Sequence, residues 1–554
     1  MSVLGKKWII KNTNSSKTIF ERILANRGLS EIVEMEDFHD PFLFTDMAKS
    51  VERINKAIKD QERIIIFGDY DVDGISGSAI LVNTLKKLKA NVSFRLPNRS
   101  TDGYGLSIKF IDEFIEKNIG LVITVDCGIC CRKEIQKAKE NNIDTIITDH
   151  HTIPDQLPES AFAILHPKNK DSNYPFSELT GAGVALKLAH ALIKNNLPEH
   201  EQEEYLNSLL DLATLGTIAD LGSLQGENRL IVRRGLNALR STRWAGLKRL
   251  KEIAGLKAGE EVDVVKIGYQ IAPRINAAGR IGDPYTALFL LLGEEDNAQM
   301  GDLANKLEEL NRKRQFMSEK AFEEAGNFVT DLGEMPTIII AHSPDWHVGI
   351  LGLIAGKLAE KNRRPTIVMQ DLGDTLVASA RSPVFFNVIE AIASCGEFLT
   401  NFGGHAQAAG FSLKKENLEA FKSQITAYSN EKLSNMEISP TLEIDAEIFA
   451  EDMNFDLLDA LEKLQPFGVD NRKPLFIIKN VTPSFISQVG STKTHLKFDA
   501  HSSDKKFPVI AFRMGEFSTL LKDKKSIDLV FEIERHTWNN RTELQLHALD
   551  FNCN

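Results

Sequence analysis

The stretch Arg63-Ile64-Ile65-Ile66-Phe67-Gly68-Asp69-Tyr70-Asp71-Val72-Asp73-Gly74 decides how the rest of the chain reads. A short β-branched run breaks at Gly68 and then delivers acids at alternate positions, the pattern of a buried strand whose carboxyl end opens into an acidic loop. Acids spaced this way on extended backbone face one side. Carboxylates that close repel one another, and a divalent cation between them is the usual remedy. Taken alone, the segment also reads as a solvated Asp-rich turn in which Gly74 supplies a positive φ.

The device recurs twice. Leu121-Val122-Ile123-Thr124-Val125 ends in Asp126, and Thr145-Ile146-Ile147-Thr148 ends in Asp149-His150-His151. Segments of helical character, 108–118 and 132–141, lie between these runs, and a strand–helix alternation of this kind builds a parallel sheet. Residues at the carboxyl ends of parallel strands converge on one crevice, so Asp71, Asp73, Asp126, Asp149, His150 and His151 are expected to share a pocket. A fourth contribution comes from residues 209–221, apolar until Asp220 arrives. An acid at the end of a buried helix needs a partner, and the same pocket would supply it.

Oxygen ligands with imidazole, and no thiolate required, favour manganese or magnesium. Two ions about 3.5 to 4 Å apart suit an in-line phosphoryl displacement. The expected arrangement has Asp126 bridging, Asp71 on one ion, and Asp73, His150 and Asp220 mainly on the other. Asp69 ligates or orients, Asp149 fixes the histidine pair from behind, and His151 is left to contact the scissile phosphate.

Composition bounds the alternatives. A chain of 554 residues exceeds one core. No apolar run reaches membrane-spanning length and no signal core opens the chain, so the expected location is cytoplasmic, with no membrane partner. Five cysteines do not make a disulfide framework. Cys127 and Cys130 form one CxxC without an evident second ligand pair for zinc. The net charge of −11 argues against coating nucleic acid by bulk electrostatics. A local run of eight basic residues between Arg229 and Lys251, with Trp244 inside it, reads either as a strand-tracking groove or as a solvated helix face. No GxxxxGK[ST] loop is present, which sets aside a nucleotide-dependent switch.

The expected fold is α/β. Residues 1–45 form an N-terminal segment, 46–225 a domain built on the parallel sheet, and 226–330 a helical connector. A second α/β domain spans 331–435, and 436–554 form a small barrel of the oligonucleotide-binding (OB) type, with short strands and a Trp538–Arg541 hairpin signal. In the connector, Leu303, Leu307 and Leu310 mark a packing stripe. The segment 273–284 breaks the helical pattern and carries Arg274 and Arg280 beside small residues, a combination that suits phosphate. In the second domain Gly403-Gly404 lets backbone approach a ligand, with a helix N-terminus expected after it.

The motifs Gly68–Gly74, Val125–Gly128, Thr148–His151 and Gly216–Asp220, followed by Gly403-Gly404-His405, resemble those of the DHH phosphoesterase family. Together with Arg274 to Pro284 and the terminal barrel, they are similar to its bacterial single-strand-specific exonucleases, which degrade DNA from 5′ to 3′. The resemblance covers roughly residues 45–554. It implies a substrate of single-stranded DNA, a manganese or magnesium pair, and work beside single-strand-binding protein and a RecQ-type helicase in recombination and repair. It implies strand-entrance roles for Arg99 and Tyr104, and phosphate or strand contacts for Arg274, Arg280, Ser379, Arg381, Gly403, Gly404 and His405. The cysteine-rich turn at 127, 130 and 131 departs from the pattern.

Two other functions compete. A phosphodiesterase of the same family acting on short oligonucleotides or cyclic dinucleotides would have little use for a terminal barrel. A non-catalytic replication scaffold should have lost carboxylates, and every position here is filled.

Overall fold

The computed structural model describes residues 2–11, 17–29, 31, 35–99, 101–103, 105–257, 259–331, 333–434, 436, 440–538 and 541–553. The chain forms two compact units, one of residues 37–436 and one that joins residues 1–36 to 437–554.

In the larger unit, helix α1 (Met47–Lys59) leads into β1 (Ile64–Gly68), every residue of which is buried. Then follow α2 (Val72–Lys87), β2 (Val92–Arg95), α3 (Ile108–Glu116), β3 (Leu121–Val125), α4 (Arg132–Glu140), β4 (Asp144–Thr148) and β5 (Ala163–Leu165). The strands form one sheet in the order β2-β1-β3-β4-β5, parallel throughout. Both faces are covered, which is why β1 and β3 are continuous apolar runs rather than alternating ones. The register aligns Gly68 with Val125 and Val125 with Thr148, so Asp69, Asp126 and Asp149 leave the sheet at one level.

Helices α5 (Gly181–Asn196) and α6 (Leu210–Ala219) pack on α2 in the main core. The connector continues with α7 (Gly226–Arg240), α8 (Ala272–Ile281) and the long α9 (Ala298–Asp331), whose Leu307 is buried in that core with Leu303 and Leu310 against it. Two expectations change here. The segment around Pro273 is helix rather than a break, because α8 continues from a π-helical turn, Ile267–Ile271, whose irregular hydrogen bonding accommodates the proline that follows it. Trp244 is fully buried, with Nε1 donating to Ser208 O at 3.1 Å and Asp211 Oδ1 at 3.0 Å, so it is no stacking platform. In the basic run around it, Arg240 pairs with Glu261, Arg243 with Glu294, and Arg249 with Asp296 and Glu252.

The second α/β domain contains β6 (Ile339–Ser343), α10 (Val348–Asn362), β7 (Thr366–Asp371), β8 (Thr375–Arg381), β9 (Leu399–Gly404), β10 (Ala408–Lys414) and α11 (Leu418–Leu433). Its sheet runs β9-β10-β8-β7-β6 and is mixed, with β6 and β7 parallel. Gly403 and Gly404 lie at the end of β9, paired with Gly410 and Ala409 of β10. The expected helix N-terminus after them is therefore a strand-to-strand turn.

In the smaller unit, β11 (Phe476–Val489), β12 (His495–Ser502), β13 (Lys505–Ala511), β14 (Ile527–Trp538) and β15 (Arg541–Cys553) close into a five-stranded barrel through the pairing of β11 with β14. β13 and β15 are parallel and the remaining pairs antiparallel. Trp538 pairs with Arg541 across β14 and β15. Lys7–Ile10 pairs in parallel with Thr441–Ile444, so the N-terminal segment is part of this unit.

Candidate metal centre

Each acid of the first loop is held differently. Asp69 N donates to Val125 O at 3.2 Å, which ties the loop to the neighbouring strand. Asp71 is the N-cap of α2, with Oδ1 accepting from Gly74 N at 3.1 Å. Asp73 reaches the start of α5, where Oδ2 accepts from Gly181 N at 2.6 Å and Oδ1 from Ala182 N at 2.9 Å, a carboxylate seated on a helix N-terminus. Asp126 follows β3 with φ at 61°, a left-handed conformation costly for a residue with a Cβ, and its N–H is anchored to Thr148 O at 2.9 Å. Asp220 caps the carboxyl end of α6.

These side chains converge. Ligand atoms of Asp69, Asp71 and Asp126 lie within 4.8 Å of one another, as do those of Asp73, His150 and Asp220, and those of Asp126, His150 and His151. Nε2 of His150 is 3.1 Å from Asp126 Oδ1, 3.6 Å from Asp220 Oδ2 and 3.8 Å from Asp73 Oδ2. Asp126 therefore belongs to both halves of one centre. Asp149 stands behind it. Its Oδ1 accepts from His150 N at 2.7 Å and His151 N at 3.1 Å and pairs with His151 Nδ1 at 2.8 Å, while Oδ2 accepts from Ile129 N at 2.9 Å.

The electrostatics show a cluster lacking positive charge. Burial, reinforced by Asp71, raises the carboxyl of Asp69 well above its ordinary range and that of Asp73 to about 7. Burial and then Asp73 raise Asp220 to about 8, and the same causes, joined by Asp71 and the other acids, push Asp126 up. His150 falls to about 3 through burial and the adjacent His151. Against its own burial, the hydrogen bond that His151 donates to Asp149 lifts His151 to about 9, and the same bond holds Asp149 at about 2 despite burial. The donor set fits divalent metal: Asp69 Oδ1 and His150 Nε2 are buried without a hydrogen-bond partner, and both residues belong to the clusters. Among the described residues no cysteine joins such a cluster, and Cys127 is a buried thiol raised by that burial.

Cations line the side of the centre facing the second domain. The Arg99 guanidinium lies over the Tyr70 ring at 5.5 Å. Arg280 donates to Gly349 O at 3.2 Å, and Arg381 to Ser379 Oγ at 3.1 Å and Ala380 O at 2.8 Å. Neither Arg280 nor Arg381 is ion-paired among the described residues, and Arg280 is depressed to about 10 by burial and then by Arg99 and Arg314. Buried guanidinium groups that repel one another form a receptor for anions. Thr152, next to the histidine pair, meets His405 Nδ1 at 3.2 Å. Arg274 differs from expectation. Its guanidinium is engaged by Glu308 of α9 at 2.7 Å and by the carbonyl of Gln270, so it helps pack the connector. Tyr104 lies outside the described residues.

Family models match the same regions: the DHH family N-terminal domain over residues 63–217, the DHHA1 domain over 335–431 and the RecJ OB domain over 444–550. The single-stranded-DNA-specific exonuclease RecJ of Thermus thermophilus is 31% identical over 508 residues, covering 90% of this chain and 69% of the relative. The chain belongs to the RecJ family. RecJ of Bacillus subtilis is 38% identical over 516 residues, which is 93% of this chain; the chain spans just under two thirds, 64%, of that relative's length. The crystal structure of T. thermophilus RecJ with Mn2+ superposes with a TM-score of 0.85 at 26% identity, covering 99% of this chain and 80% of the other. A second structure of that RecJ, with Mg2+, gives 0.77 at 25% identity, covering 99% and 78%.

The RecJ fold makes clear which contributors to the centre carry no signal in local sequence. Gly181 is one: a Cβ there would lie 2.5 Å from Cβ of Asp126, so only glycine permits this approach of α5 to the bridging acid.

Proposed function

We propose that this chain is a metal-dependent exonuclease that degrades single-stranded DNA from 5′ to 3′ to mononucleotides in recombination and repair. The observation that carries the reading is the pair of ligand clusters sharing Asp126, set beside guanidinium groups that have no carboxylate partner. Asp69, Asp71 and Asp126 would hold one Mn2+ or Mg2+ ion, and Asp126, Asp73, His150 and Asp220 the other. Ions bound there supply Lewis acidity at the scissile phosphate. His151, oriented by the hydrogen bond of its Nδ1 to Asp149, contacts the scissile phosphate. Arg280, Arg381 and Ser379 receive the phosphates of the strand, Arg99 guards the entrance with Tyr104, and His405 with the exposed Gly403-Gly404 backbone contacts the strand from the second domain.

A cleft between two α/β domains passes one strand, whereas duplex must first be opened at an energetic cost. The 5′ polarity rests on the RecJ relatives. Residues 46–225, 226–330 and 331–435 act as the catalytic domain, the connector and the strand-holding domain, and residues 436–554 as the nucleic-acid-binding domain. Single-strand-binding protein and a RecQ-type helicase are the proposed partners, and the cytoplasm the proposed location; no helix among the described residues is long and apolar enough to cross a membrane.

The test is digestion of 30-mers blocked at one end or the other, with manganese present. The account predicts mononucleotides from strands with a free 5′ end and none from strands blocked there. Cleavage confined to dinucleotides or cyclic dinucleotides would assign the same centre to the rival phosphodiesterase function.

A further inference from the structure

Between the acidic loop and the second domain lies helix α8, which carries none of the proposed metal ligands. Val72 is the first residue of α2, and its amide is one of the donors that a helix start leaves without an intrahelical acceptor. Asp71 caps Gly74, two residues further on, and does not serve Val72. The acceptor comes from 204 residues away: Oδ1 of Asn276, on α8, takes the Val72 N–H at 3.3 Å.

Three residues along the same face of α8, Gly279 meets the loop directly. A Cβ at that position would fall 2.3 Å from the carbonyl oxygen of Tyr70, so the helix backbone rests on the loop backbone with no side chain between. Tyr70 and Val72 are the two residues that flank Asp71. The far end of α8 is equally close to the second domain, since a Cβ on Gly349, in the first turn of α10, would fall 1.9 Å from Arg280 O, and the Arg280 side chain donates to Gly349 O. Helix α8 is thus a wedge with the acidic loop at one side and the second domain at its end.

We propose that Asn276 is a positioning residue for the ion held by Asp69, Asp71 and Asp126: its bond to Val72 fixes the direction in which the Asp71 carboxylate leaves the loop. The inference deepens the exonuclease reading and rests on it. Removing the acceptor leaves a buried amide without a partner, and the start of α2 is then free to turn. The consequence falls mainly on the ion at Asp71: Asp73 follows Val72 on α2 but is anchored independently by the amides of Gly181 and Ala182, while His150 lies on the loop after β4 and Asp220 at the end of α6. Partners that stand behind a ligand and orient it typically change metal affinity by about 10- to 100-fold.

The test is Mn2+ binding to the full chain without DNA, followed by calorimetry and by electron paramagnetic resonance. Asn276→Leu keeps the branch point and heavy-atom count and removes the acceptor; Asn276→Asp keeps an acceptor at the same reach. The wild type should bind two ions with the spectrum of a coupled pair. Asn276→Leu should lose about tenfold at one site only and show the six-line spectrum of an isolated ion at intermediate manganese. Asn276→Asp should restore the coupled pair, and a metal-free melting temperature within a degree or two of wild type should show that the fold is intact. Gly279→Ala, which pushes on Tyr70 from the same helix, should repeat the selective loss. Equal weakening of both sites, or wild-type binding by Asn276→Leu, overturns the inference while the nuclease reading stands. A wild-type chain that binds no manganese and digests no strand overturns both.

Discussion

Alanine at position 181 tests how tightly the bridging acid is held. The new Cβ would stand 2.5 Å from Asp126 Cβ, 2.8 Å from its Cγ and 2.7 Å from Oδ1. Ordinary contact begins near 3.4 Å, so one side must retreat by about 1 Å. Asp126 has little room to yield, being left-handed at φ 61° and anchored through its N–H to Thr148. If α5 retreats instead, the amides of Gly181 and Ala182 leave the Asp73 carboxylate they now hold at 2.6 and 2.9 Å. Either movement displaces a ligand. A misplacement of about 1 Å at a reacting centre costs on the order of 100-fold in rate. Overpacking costs about 1–3 kcal/mol of stability, partly offset by the roughly 1 kcal/mol that alanine gains over glycine in a helix. Gly181→Ala should therefore remain folded and bind a single strand with near wild-type affinity, because the strand contacts lie elsewhere. Its manganese-dependent turnover on a 5′-labelled 30-mer should fall about 100-fold. Turnover within threefold of wild type would refute the claim that this approach sets the position of Asp126.

Two predictions concern stability away from the centre. Lys187 and Glu227 form a fully buried ion pair at 2.8 Å, with Glu227 also accepting from His39 N at 3.1 Å and from the Tyr174 hydroxyl. Lys187→Met should strand the carboxylate and destabilise the larger unit by about 3–5 kcal/mol in urea unfolding, while leaving turnover per folded molecule unchanged. Asp211 is buried beneath Thr242, Leu212 and Trp244, and burial outweighs those hydrogen bonds to raise its carboxyl from 3.8 to about 6. The folded state therefore holds the proton more tightly than the unfolded one, so this residue's contribution is fully present below pH about 4 and is lost as pH rises through about 6, a difference on the order of 3 kcal/mol. Asp211→Asn, whose amide oxygen can still accept from Trp244 and Leu212, should be at least as stable as wild type at pH 7.5 in urea unfolding and should lose that slope between pH 4 and 6.

The parallel sheet was legible because buried strands are short unbroken apolar runs, and the centre because each of three such runs ends in acids. Asp220 could be placed because an acid finishing an apolar helix demands a partner. What stayed hidden depends on contacts between distant segments. Pro273 looks like a helix breaker until the π-helical turn before it, Ile267–Ile271, is known. Trp244 in a basic run looks like a stacking surface, yet its neighbours include Ser208 and Asp211 of another helix region, and the charges around it are met by acids from 252, 261, 294 and 296. Nothing local in Lys7–Ile10 announces a strand paired with Thr441–Ile444. Asn276 and Gly181 are ordinary residues in sequence and acquire meaning only through what they touch.

The central claim is that the acids of three strand ends, His150 and Asp220 together hold two divalent ions that share Asp126. Anomalous diffraction at the manganese edge from crystals of the full chain grown with Mn2+ tests it directly. The account predicts two peaks about 3.5–4 Å apart, with Asp126 between them, Asp69 and Asp71 at one, and Asp73, His150 and Asp220 at the other. A single peak, or a pair that leaves Asp126 on only one ion, would contradict it.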